Sequence, residues 1–536
     1  MKKSVFILAT LLLTFVCTPL FLGAAFADEN TPFQTAPYND GVMITTFEGD
    51  VSGTLIIPDQ IDGKPVRCIG KQAFRSNQSL TSVVFPEGLR TIREQAFCLC
   101  RSLKSVNLPE SLQTVGRGAF GFCQSLTSIK FPRGLRRIGN EAFFGCKSLK
   151  SVELPENLEA LGEGAFSSCE SLERVKFPQG LKSIGNKTFN RCRSLKSVVF
   201  PKNLEALGEG AFNSCGKLQR VILPEGFRTI KQGAFSECAE LVTVEVPKSL
   251  EEIGDEAFNG CRSLTYIKLS SSVKKIGVKA FAGCASITAI TIPSGVETIE
   301  DAAFSDCESL SKVEFSEGLH SIGQEAFTKC ISITSVIFPE GLHTIEKNAF
   351  KECESLRNVE FPSSLLTIGE DAFAFCQSLS KVTLPECLET IGRSAFFACE
   401  SLTAVDLPKN IQTIGPNAFC LCSSLSIVNF PVNLKTIGDG AFGFCDSLSS
   451  VVLPDGLETI ENGAFYGCER LSLVVFPDSL EKIGDNAFHK CTLLKSVDIP
   501  DGLPTIVAKA FPENVQINVR KRSKRVSSET DSEGER

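Results

Sequence analysis

The chain reads as a repeat solenoid, on three observations. Eighteen cysteines recur at 23-residue intervals from Cys100 to Cys491, with no insertion or deletion between them. Around each cysteine the same apolar skeleton returns, as in Leu103, Val106, Leu108-Pro109, Leu112, Val115-Gly116, Ala119-Phe120 and Cys123. One such unit cannot bury its apolar side chains alone, so successive units must stack as turns around a shared interior. A length of 536 residues would otherwise suggest several domains, but a solenoid of about twenty turns grows by addition.

The N-terminus comes before the repeats and reads as an export signal over residues 1–27. Lys2 and Lys3 precede a largely apolar run from Val5 to Leu22, and the small-x-small triplet Ala25-Phe26-Ala27 places cleavage before Asp28. An uncleaved anchor competes with this reading because the apolar run approaches spanning length; the cleavage triplet argues against it. No second apolar run follows, so no transmembrane segment is expected in the mature chain. Residues 28–53 are assigned to an N-terminal cap and 54–520 to the solenoid with its C-terminal cap.

Within one repeat, Val106 to Leu108 alternates apolar with polar residues, which is strand periodicity. Pro109 lacks the amide a ladder needs and ends the strand. Of the nineteen matching positions from Pro86 to Pro500, only Ser270 and Ser316 depart. Leu112, Val115 and Ala119-Phe120 follow at spacings of three and four, which fit a helical turn or a bent extended arc equally. Gly116, Gly139 and Gly162 mark the next position, yet Arg93, Lys231, Glu300, Glu346 and Glu461 replace glycine in other turns. Glycine is therefore favoured there for tightness rather than for a positive φ.

Twenty phenylalanines from Phe74 to Phe511, among them Phe97, Phe120, Phe143 and Phe166, are expected to stack as a spine. Beside them Cys100, Cys123, Cys146 and Cys169 begin a cysteine ladder. In an exported chain many cysteines suggest a disulfide framework, but such frameworks serve small domains with irregular spacings. A cysteine once per turn beside a core phenylalanine behaves as a small buried hydrophobe. Rungs about 4.8 Å apart carry parallel Cβ vectors, a poor geometry for bridging.

Composition narrows the function. Apolar residues make up 43% and charged residues 22%, with a net charge of -7 and both signs interspersed, so no field favours nucleic acid. Glu297, His320 and His343 form a column, but a straight column does not converge three ligands on one tetrahedral ion. The carboxylates Glu251, Glu389, Glu458 and Glu481 likewise repeat as a solvated column rather than as a unique pair. No nucleophile elbow or phosphate loop is present, so neither an enzyme nor a cofactor is expected.

What varies from turn to turn is the outward strand position. It is filled by Lys130, Glu153, Lys176, Glu245 and Lys268, with Arg174, Arg220 and Tyr266 two residues earlier in their turns. A constant interior under a variable outer row suits an extended surface for a large partner. Near the end, Val515, Ile517 and Val519 alternate with polar residues and suggest a covering strand. Residues 521–536, from Lys521-Arg522-Ser523-Lys524-Arg525 into an acidic end, read as a disordered charged tail.

The unit L-x-x-V-x-[LF]-P followed by L-x-x-I-G-x-x-A-F-x-x-C resembles the BspA-type, or treponemal-class, leucine-rich repeat over roughly residues 54–520. The stretch Gly41-Val42-Met43-Ile44 through Ile69-Gly70-Lys71-Gln72-Ala73-Phe74, with a turn at Asp62-Gly63, resembles the capping hairpin and first turn of such proteins. The resemblance implies a right-handed leucine-rich-repeat superhelix with a parallel sheet on one, concave, face. It also implies a secreted or cell-surface protein that adheres to matrix proteins, host cells or other bacteria. A structural or self-associating envelope protein without a specific ligand is the alternative.

Overall fold

The computed structural model describes residues 32–49, 51–503 and 509–522. The expected export signal and most of the expected tail lie outside them. Every element among the described residues is a β-strand, and together they build a parallel β-solenoid.

Each rung contributes two short strands. The longer one pairs in register with its neighbours, as Ser105–Asn107 does with Ser128–Lys130, residue for residue at the 23-residue period. It starts one residue earlier than the alternation suggested. The shorter one, such as Thr114–Val115, pairs with Arg137–Ile138. In the first strand the middle residue is buried and its two neighbours are exposed, as at Ser105, Val106 and Asn107. The skeleton residues of all rungs join one continuous core.

The arc through Ala119-Phe120 resolves the choice between helix and bent chain. The amide of Phe120 donates to the carbonyl of Ala142 on the next rung at 2.8 Å, and Gly118 donates to Asn140 at 2.8 Å. Between these, the amides of Ala119 and Cys123 turn back three residues, to Gly116 and Phe120, at 3.2 Å. Alternation of cross-rung and local bonds satisfies the backbone without helical continuity.

This corner holds two left-handed residues per turn. One precedes the Ala-Phe pair, as Glu141 (φ 57°) and Lys279 (φ 54°) do; the other precedes the cysteine, as Phe122 (φ 59°) and Arg191 (φ 58°) do. A non-glycine residue there carries a cost of about 1–2 kcal/mol. Gly116, by contrast, is not left-handed: a Cβ there would sit 2.8 Å from the backbone carbon of Arg93 on the rung before. Glycine at that place serves close approach, as the charged replacements had indicated.

The phenylalanine spine is unbroken from Phe74 to Phe511. Successive rings are nearly parallel, with centroids 5.4 Å apart at Phe97 and Phe120, 5.7 Å at Phe212 and Phe235 and 5.1 Å at Phe488 and Phe511.

Both ends are closed. The hairpin Phe33–Tyr38 with Gly41–Phe47 covers the first rung and extends the spine through Phe47, whose ring lies 5.5 Å from Phe74. The turn at Asp62 and Gly63 is left-handed at both residues, joining Gln60–Ile61 to Lys64–Ile69. At the far end Gln516–Arg520 pairs in parallel with Ser496–Pro500. Beyond it Arg522, counted with the tail from sequence, donates to the carbonyls of Leu480 and Asp501 at 2.9 Å.

Candidate functional site

Lys130, Glu153, Arg174, Lys176, Arg220, Glu245, Tyr266 and Lys268 all stand exposed on the outer side of the longer strand ladder. Their exposure follows from strand alternation: Ile129, Val152, Val175, Val221, Val244 and Ile267 point inward and are buried.

The fold gathers these eight residues into neighbouring hollows. Lys130, Glu153 and Lys176 line one of about 990 Å³, together with Arg133, Glu156 and Asn157. A smaller one beside it adds Arg174 to Glu153 and Lys176. Arg220, Glu245, Tyr266 and Lys268 line another of about 1120 Å³, with Val246, Lys248 and Ser270. Each hollow lies between the strand row and the loop that follows it, so the loop residues Glu156, Glu225 and Lys248 form the second wall. Sequence reasoning missed that wall. Its signal was the charged residue after the proline in turn after turn, as in Pro155-Glu156 and Pro247-Lys248.

Within the hollows opposite charges meet across rungs. Lys176 pairs with Glu153 and Arg220 with Glu245. The hydrogen bond and the charge of Glu153 raise the Lys176 ammonium above its ordinary value. On the same face Lys196 meets Glu173 at 3.1 Å and holds that carboxyl below the usual range. Such exposed pairs contribute little stability, because water screens them. Lys130, Lys268 and Tyr266 make no side-chain hydrogen bond or ion pair among the described residues. They stand free for a ligand.

The other sequence candidates fall elsewhere. His320 and His343 stack with centroids 6.0 Å apart, side by side as a column. Among the described residues no group of three His, Cys, Asp or Glu side chains is placed to hold a metal ion. In the carboxylate column Glu251 meets Arg228 at 2.7 Å and Glu458 meets Lys435 at 2.6 Å.

The ladder thiols of Cys100, Cys123, Cys146 and Cys169 are fully buried and unbridged. Each donates to the carbonyl of the spine phenylalanine on the preceding rung: Cys123 to Phe97 at 3.3 Å, Cys146 to Phe120 at 3.2 Å and Cys169 to Phe143 at 3.3 Å. Burial pushes the Cys100 and Cys146 thiols up to about 12, which keeps them protonated and chemically quiet.

No curated protein matches the chain. Among solved structures, a leucine-rich repeat protein from Bacteroides ovatus is 25% identical, covering 92% of this chain and 100% of its own, with a TM-score of 0.36. A leucine-rich cell surface protein from Faecalibacterium prausnitzii is 20% identical, covering 94% and 96%, with a TM-score of 0.24. The pneumococcal vaccine antigen PcpA is 18% identical, covering 61% and 96%, with a TM-score of 0.38. A family model, the BspA-type leucine-rich repeat region, matches in overlapping six-copy windows that together run from residue 67 to residue 518. That match takes in most of the chain: it belongs to the BspA-type leucine-rich repeat family.

Proposed function

We propose that this chain is an exported recognition protein without catalytic activity, and that it binds a protein partner along the outer strand face. One observation carries the reading: identical rungs hold a constant interior while their outward strand residues differ, and those residues line hollows of mixed charge. Free cations at Lys130 and Lys268, an exposed Tyr266 and the paired Lys176 and Glu153 offer polar anchors around a partly apolar floor. Tyrosine and arginine at such places are the side chains that carry binding energy in protein interfaces. The partner class is a matrix protein or a protein of another cell's surface, and the site of action is the cell surface or its surroundings.

The test is retention of matrix proteins and cell-surface extracts on the immobilised chain. We expect one protein to be retained, and to be lost when Lys130, Lys176 and Lys268 are changed together to Glu. Retention unchanged by that triple substitution would remove the strand face from the reading. No retained partner, with ordered self-assembly by light scattering, would favour the structural alternative.

A further inference from the structure

The corner of the solenoid, away from the strand face, carries the same three-rung cluster twice. Three successive rungs there read Cys98-Leu99-Cys100, Gly121-Phe122-Cys123 and Phe144-Gly145-Cys146. Fourteen repeats later the order returns as Cys420-Leu421-Cys422, Gly443-Phe444-Cys445 and Tyr466-Gly467-Cys468. Stacking turns each trio into one exposed apolar knob. Phe122 leans over Gly145, where an added Cβ would lie 3.0 Å from its ring, and meets Phe144 edge-on at 5.0 Å and 75°. Phe444 leans over Gly467 in the same way, at 2.7 Å, and meets Tyr466 at 5.2 Å and 70°.

The corner backbone does not ask for these side chains. Leu99, Phe122, Leu421 and Phe444 all occupy the left-handed corner position, where a bulky residue is locally disfavoured. The same place is glycine in other turns, at Gly145, Gly260 and Gly283. Phe122 is nonetheless 39% exposed and Phe444 41% exposed. Strain combined with exposed apolar surface is what an interaction site retains.

The two knobs differ in the charge beside them. The residues after the three cysteines are Arg101, Gln124 and Lys147 at the first knob and Ser423, Asp446 and Glu469 at the second. At the first, Lys147 also reaches Glu170 at 3.0 Å. At the second, Arg470 is nearby and Lys490 lies over the Tyr466 ring at 5.1 Å. Partial burial and then the neighbouring Glu469 raise the Asp446 carboxyl, while Arg470 lowers it.

We propose that the first knob of one copy of this chain docks on the second knob of another copy, aromatic against aromatic and Arg101 and Lys147 against Asp446 and Glu469. The contact joins different patches, so a docked pair keeps one free knob on each chain and association propagates into strings or closed rings. A patch three rungs long is well below the roughly 1,200 Å² of a stable interface, so the contact is weak and fills in solution only at high protein concentration; many chains held on one surface would strengthen it. The pair Phe375 and Phe397 looks similar, at 5.3 Å and 68°, but Glu352 stands in place of the leucine and Lys351 lies 6.0 Å over the Phe375 ring. It takes no part.

Sedimentation of the purified chain over a range of concentrations tests this. The expected result is concentration-dependent association at low salt that falls at high salt. The double variant Arg101→Glu/Lys147→Glu should associate at least about tenfold more weakly, and Asp446→Lys/Glu469→Lys likewise. Mixing the two variants should restore association, since each then presents the charge the other lacks. Phe122→Ala should weaken association and Phe375→Ala should leave it unchanged. A wild-type chain that stays monomeric throughout, association that survives either charge reversal, or a mixture that stays apart would each overturn the proposal. None of these substitutions touches the strand face, so partner retention there reports separately.

Discussion

On the strand side of a rung, Ser105 and Asn107 stand in water and only Val106 faces the core. On the corner side, Ala119, Phe120 and Cys123 are all fully buried, and the chain turns through left-handed residues to put them there. The strand side needs one apolar residue in three, because ladder hydrogen bonds to both neighbours fix the backbone. The corner has less freedom: from Phe97 to Cys491 its ring and thiol repeat in every turn, and Thr188 alone replaces the alanine. The difference teaches where variation can be stored in a stacked fold, and four experiments would break or sharpen it.

The largest effect is expected from alkali. Burial holds Cys100, Cys146, Cys238, Cys376 and Cys491 at about 12, against 9.0 for an ordinary thiol. The folded chain keeps protons there that the unfolded chain releases. The ladder's contribution is therefore complete below about pH 9 and is lost as pH rises toward 12. Denaturation followed from pH 8 to 11 should show a steep fall in stability, and a flat profile would contradict the buried thiol column.

Next comes the spine. Phe281 stacks on Phe258 and on Phe304 at 5.3 Å. Phe281→Ala should cost about 3–5 kcal/mol, the usual loss for a buried ring. Because coupling in a solenoid is between nearest neighbours, calorimetry should show the melting transition split in two. A single unshifted transition would count against a spine that works rung by rung.

Smaller effects separate the backbone from the side chains. Lys279 is exposed and left-handed, with φ 54°. Lys279→Gly should stabilise by about 0.5–1 kcal/mol and Lys279→Val should destabilise by about 1–2 kcal/mol, read from urea titrations. On the strand side Lys176→Ala breaks an exposed ion pair and should move stability by no more than about 0.5 kcal/mol. If it cost as much as a corner substitution, the two sides would not differ as described.

The candidate site was legible in part. Which residues face outward followed from alternation, so all eight strand candidates reached the surface together. Their partition into hollows was not, since it depends on how far the loop after each proline stands from the strand row. The corner knobs were missed altogether. Their signal was present as the aromatic and glycine exchanged between Gly121-Phe122 and Phe144-Gly145, but nothing local says that Phe122 and Gly145 will touch.

The sequence by itself determined the period, the stacking of rungs, the membership of the core and the row of variable side chains. An indel-free 23-residue repeat allows no other arrangement that buries Phe and Cys in every turn. Only the tertiary structure decided the path of the corner and the partner of each thiol. Spacings of three and four suit a helix and a bent arc equally; the choice falls to bonds such as Phe120 to Ala142. The Cys123 thiol likewise finds its acceptor on Phe97, across the rung boundary. Such contacts exist only between stacked rungs, so one repeat taken alone cannot specify them.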